Sequence, residues 1–180
     1  MQPRLVELAD YARAQRTELL TAVSLVPEPL REQRAEAAGW SVAEVLEHLH
    51  RVERGITRLL VHSLERARAE GIGPELETSS MMGSLDQYQL TRRGRPISAP
   101  EPVLPRGELS AAQAIAALTN SRQALLSALE AADGIALGAI TYSHPLLGPL
   151  NLYQWVLFVG QHEARHAAQI QEIASRLQHV

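Results

Sequence analysis

The sequence predicts an all-α protein, a four-helix bundle with a long connection between its second and third helices. Three observations carry that expectation. Alanine and leucine dominate while aromatic residues make up 4% of the chain, and runs of alternating β-branched residues are hard to find. Apolar residues recur at helical spacing in four segments. Three of those segments open on a serine or asparagine suited to capping a helix, with Glu or Gln three residues later.

The first helix is expected from Pro3, a residue suited to a first helical position, to about Val23, with Leu5, Leu8, Ala12, Leu19 and Val23 on one side. Pro27 and Pro29 then break it. The second opens at Trp40-Ser41-Val42-Ala43-Glu44, where Ser41 and Glu44 form a capping box and Trp40 can staple onto Val45. Its stripe of Val42, Val45, Leu46, Leu49, Val52, Ile56, Leu59 and Leu60 carries it to about Ala69. From Gly71 to Gly107 the period dissolves into a stretch rich in Gly, Pro and Ser. A connection of that length inside a compact domain suggests a lid or pocket wall, with Met81, Met82, Tyr88, Arg92, Arg93 and Arg95 as its candidate substrate contacts. The third helix starts at the Ser110/Gln113 capping box and runs to about Ala131. A Gly- and Pro-containing connection follows, and Asn151 with Gln154 opens a fourth helix that runs nearly to the C-terminus.

The 180 residues suit one domain, spanning 1–180. Seventeen basic against twenty acidic residues give a formal net charge of -3, and no basic run offers a surface for phosphates, so nucleic acid is not expected as a direct partner. No apolar run reaches the ~20 residues that span a bilayer, and the N-terminal residues lack the apolar stretch of a signal peptide. Cytoplasm is the expected location. Cysteine is absent, which removes disulfides, a thiol nucleophile and thiolate metal ligands together.

Within the fourth helix stands His162-Glu163-Ala164-Arg165-His166, the H-E-x-x-H pattern of zinc proteases. Both histidines fall inside the apolar stripe of Leu152, Trp155, Val156, Val159, Ile170, Ile173 and Leu177. Their i, i+4 spacing stacks two imidazoles one turn apart, near enough to share an ion; the bland alternative is a pair of hydrogen-bonded core histidines. A protease is not expected. The chain ends 14 residues after His166, position 169 is Gln169 rather than glycine, Glu172 is turned away from the stripe, and no strand is expected that could align a peptide. Glu163, at the edge of the stripe, is a candidate catalytic residue, with a ligand-orienting or solvated surface role as alternatives.

The third ligand is expected from the second helix. His48 lies on the shoulder of its apolar face, whereas His50 falls with Glu47 on the polar flank. His62 and His179 look like surface residues. His144 has two roles open to it, lining a pocket mouth or bonding the turn that leads into the last helix.

GWSVAEVLEHL in the second helix, SHPLLGPLNLYQWV before the last and HEARHAAQI within it resemble the DinB-like superfamily. The likeness covers the second and fourth helices well, the first and third only by length and order, and residues 71–107 hardly at all. It implies an up-down-down-up bundle that holds a divalent metal, nickel or zinc, on three histidines matching His48, His162 and His166. It also implies homodimers, and thiol-dependent transferases or isomerases among the relatives. Three neutral histidines leave an ion open to water or a thiol, so the expected function is a metal-dependent hydrolase or thiol transferase acting on a small molecule, with Glu163 or Gln169 assisting. The competing expectation is a non-catalytic metal-binding or dimerisation bundle connected with stress.

Overall fold

The computed structural model describes residues 1–94 and 98–178; Arg95 and His179 lie outside them. Among the described residues four long helices account for most of the chain: α1 (Pro3–Ser24), α2 (Val42–Ala69), α3 (Ala111–Ala131) and α4 (Leu152–Leu177). Pro3 opens α1, and the Gln2 side chain accepts from the Leu5 amide. All three expected capping boxes form, at Ser41/Glu44, Ser110/Gln113 and Asn151/Gln154. Each satisfies amides that a helix start would otherwise leave bare.

One part of the all-α expectation is corrected. Thr141–His144 (β1) and Gly148–Asn151 (β2) pair as an antiparallel hairpin that leads directly into α4. Four residues per strand are too few to show a period of two, and the turn depends on Gly148 at φ +79°, a conformation that side chains with a Cβ resist.

The long 71–107 connection is built against the helices. A 3-10 turn at Met82–Tyr88 buries Met81 and Leu85 in the core, and the Tyr88 hydroxyl donates to the Leu147 carbonyl at 2.9 Å. A second turn, Glu101–Val103, lies beside α2.

Packing places α1 on α4, α3 on α2, and α2 on α4. The apolar core falls into two compartments. The first takes residues from the early part of α1 and α4 but the late part of α2 and α3; the second takes the reverse. Between them each helix contributes one buried charged side chain: Arg16, Glu53, Arg122 and Glu163. Arg16 donates to Glu163 through Nε at 2.7 Å and to Glu53 through Nη2 at 2.9 Å. Arg122 donates to Glu53 through Nε at 2.6 Å and to Glu163 through Nη2 at 2.7 Å. Ser121 adds a hydroxyl bond to Glu53 at 2.5 Å, while the guanidiniums' remaining N–H groups reach the Leu118 and Ala12 carbonyls. Two cations and two anions balance, and every helix is tied to this layer. Burial alone would lower the Arg122 pKa, but Glu163 and Glu53 beside it raise it above its ordinary value.

Candidate metal centre

His48 on α2 and His162 and His166 on α4 meet just beyond the charged layer. His48 comes five residues before Glu53, and His162 directly precedes Glu163. The His162 Nε2 lies 3.3 Å from His48 Nε2 and 3.1 Å from His166 Nε2. Among the described residues this is the one group of three His, Asp or Glu side chains near enough to share an ion. His48 and His166 are buried and His162 is partly so.

The outer ring nitrogens decide what the inner ones can do. His48 Nδ1 is 2.7 Å from the Val103 carbonyl, which can only accept, so the Nδ1 proton is donated there and Nε2 is left with a bare lone pair. His166 Nδ1 likewise donates to Gln169 Oε1 at 2.7 Å. His162 Nδ1 is buried and has no partner. At most one proton, on His162 Nε2, is then available to two facing acceptors. A cation satisfies all three nitrogens at once. Nitrogens about 2.0–2.1 Å from one ion stand about 3.4 Å apart in a tetrahedral shell and about 2.9 Å apart at right angles, and the observed 3.1 and 3.3 Å fall between. The donor set thus fits a borderline divalent ion, with a second set of contacts orienting two of the three ligands.

Protonation favours the same outcome. Burial lowers the pKa of all three rings: that of His162 falls well below its ordinary value, with His166 and His48 adding to the effect, and that of His166 is pushed to about 3. The drop at His48 is opposed by its bond to Val103. The triad is therefore neutral at pH 7, the form that binds metal.

The surroundings are mostly apolar or aromatic. Trp40 lies 5.0 Å from His48 and 6.4 Å from His166 between ring centroids, and Phe158 stacks on His162 at 5.1 Å. Of the two roles that the sequence left open, His144 takes the bonding of the turn. Its Nδ1 accepts from the Leu146 and Leu147 amides, and its ring packs on Trp155 and Phe158, one aromatic ring removed from His162. From the long connection, Arg93 pairs with Glu172 at 2.7 Å and Arg165 donates to the Arg92 carbonyl.

Two acidic residues behave differently from expectation. Glu163 is buried rather than solvated, and both its oxygens are engaged by Arg16 and Arg122, which tie it into the charged layer. The helical period puts Glu47 on a polar flank, yet it is 1% exposed and receives three successive backbone amides. The sequence also missed Arg16, Glu53 and Arg122. Their signal is a charged residue at a core-facing position, such as Glu53 between Leu49 and Ile56, in the middle of each apolar stripe.

A mostly helical chain whose second and last helices bring three neutral histidines to one point defines a class of candidate metal-binding helical proteins. Residues 11–170 match the profile of the DinB superfamily, and the chain belongs to that superfamily. The uncharacterized protein YuaE of Bacillus subtilis (strain 168) is 26% identical over 147 residues, which cover 81% of this chain and 84% of that protein. No solved structure gives a significant match.

Proposed function

We propose that this protein is a divalent-metal-dependent enzyme, a single-domain up-down-down-up four-helix bundle in which His48, His162 and His166 hold zinc or nickel. It acts as a hydrolase or a thiol-dependent transferase on a small molecule, as a cytoplasmic homodimer. The observation that carries the metal is the convergence of three Nε2 atoms, two of them bared by bonds at the opposite ring nitrogen. The helix directions are supported by the two core compartments, which α1 and α4 cross in one sense and α2 and α3 in the other. Among the described residues no helix is long and apolar enough to cross a membrane.

When bound, the ion supplies Lewis acidity that brings the pKa of a water or substrate thiol toward neutrality. The chain's own residues bind and orient. His48 and His166 are fixed by Val103 and Gln169, and Trp40 and Phe158 keep bulk water from the imidazole faces. Glu163 is held in the Arg16–Glu53–Arg122 layer, which fixes its carboxylate.

One observation favours a non-catalytic brace as the second reading. Among the described residues, two clefts of about 260 and 230 Å³ are lined by other residues, around Gln161 and Arg92 and around Ser63 and Tyr142. The test is His166→Ala in zinc- or nickel-loaded protein, assayed with activated esters and with a thiol plus an electrophile. Turnover lost while the fold survives supports the enzyme. No turnover in the loaded wild type, with a melting temperature that collapses on chelation, supports the brace.

A further inference from the structure

Glu47 has no role in the site described so far, although a carboxylate that is 1% exposed needs strong compensation. Its compensation comes from one short piece of the connection between α2 and α3. The amides of Arg106, Gly107 and Glu108 donate to it at 3.1, 2.9 and 3.3 Å, and the Arg51 guanidinium adds bonds at 3.0 and 2.8 Å. Arg51 continues to Glu108 at 3.1 Å, closing the loop on itself. Gly107 sits at φ +68°, which lets three consecutive N–H groups converge on one carboxylate. Burial raises the Glu47 pKa, but the amides and Arg51 outweigh it and hold the group below the usual carboxylate range.

Three residues before the first of those amides stands Val103, whose carbonyl accepts the His48 Nδ1 proton. Glu47 and His48 are neighbours on α2, so one residue grips the loop and the next uses it.

We propose that Glu47 is a positioning residue for the metal centre: by clamping residues 106–108 it holds the Val103 carbonyl where it keeps His48 in the tautomer with a bare Nε2. The inference rests on His48 being a metal ligand, and its consequence for metal affinity follows from that. The tautomer does not, and can be measured without any metal.

The experiment uses full-length, metal-free protein labelled with ¹⁵N. Long-range proton–nitrogen correlation identifies the neutral tautomer of each imidazole, and calorimetric titration with Zn²⁺ gives the Kd. The expected wild-type result is an Nδ1-protonated His48. In Glu47→Ala that signature gives way to a mixture or to the Nε2-protonated form, His166 keeps its own, and the Zn²⁺ Kd weakens about 10–100-fold, as loss of a ligand's outer partner does elsewhere. If Glu47→Ala does not fold, Glu47→Gln carries the test, because it keeps the shape and one acceptor but loses the charge. It is expected to shift His48 part of the way and weaken the Kd at least several-fold. A His48 tautomer unchanged in the variant that folds overturns the proposal, as does a wild-type His48 that is not protonated on Nδ1. An altered tautomer with an unchanged Kd overturns the link to the centre. A wild-type protein that takes up no Zn²⁺ while the tautomer responds as stated sinks the metal reading and leaves the clamp standing.

Discussion

Glu163→Ala removes one of the two anions from the buried layer between the helices. In the native protein its oxygens take N–H groups from Arg16 at 2.7 Å and Arg122 at 2.7 Å, and its side chain is 2% exposed. The variant leaves two guanidiniums sharing Glu53 alone, so a neutral cluster becomes singly positive where water does not reach it. Losing one partner of such a buried cluster costs about 3–5 kcal/mol, because the stranded charge keeps its desolvation penalty. For a chain of this size each kcal/mol corresponds to about 2–4 °C, so the melting temperature falls by about 6–20 °C. Urea denaturation followed by far-UV circular dichroism at pH 7 with a chelator measures this directly. Adding Arg122→Ala restores charge balance, and the double variant should lose less than the sum of the two single ones. A loss under about 1 kcal/mol, or strict additivity, would show that the layer is not the brace described, and would return Glu163 to the candidates for a general base.

Acid should destabilise the metal-free protein well before carboxylates titrate. His48, His144, His162 and His166 all have lowered pKa values, chiefly through burial, so the unfolded chain binds protons that the folded one refuses. Their contribution is complete above the ordinary histidine pKa near 6.5 and is lost as pH falls toward the folded values, about 3 for His166, at up to ~1.4 kcal/mol per pH unit for that ring. Stability from urea melts at pH 7, 6 and 5 should therefore fall, and a flat or rising profile contradicts the assignment. Gly160→Ala should destabilise, because a Cβ there meets Tyr11 ring carbons at 2.6 and 2.7 Å where α1 crosses α4; an overpacking cost of about 1–3 kcal/mol outweighs a helix-propensity gain of about 1. A variant as stable as wild type would mean that the Tyr11 ring moves aside freely. Asn151→Ala removes the cap of α4 and should cost about 1 kcal/mol by the same urea assay, with no change in metal stoichiometry.

How much of this could be read in the sequence depends on the range of the interaction. Helix starts were legible because a capping box is complete within four residues, and Ser41, Ser110 and Asn151 each began a helix where their spacing placed it. The histidine pair on α4 was legible because i, i+4 spacing fixes the side on which two residues lie, and His48 because the apolar stripe fixed which face of α2 turns inward. The hairpin was hidden because two four-residue strands show no period. Arg16, Glu53 and Arg122 interrupt apolar stripes visibly, but which cation meets which anion is decided by packing between helices far apart in the chain. Glu47 illustrates the limit most sharply. Its partners are backbone amides about sixty residues downstream, and an amide has no letter in the sequence.

Titration of metal-free protein with Co²⁺ asks whether the three histidines hold one divalent ion. Visible absorption should saturate at one ion per chain and be abolished by His162→Ala, whose ring lies between the other two. A wild-type protein that gives no such spectrum, or a His162→Ala variant that binds as tightly as wild type, would contradict a shared site.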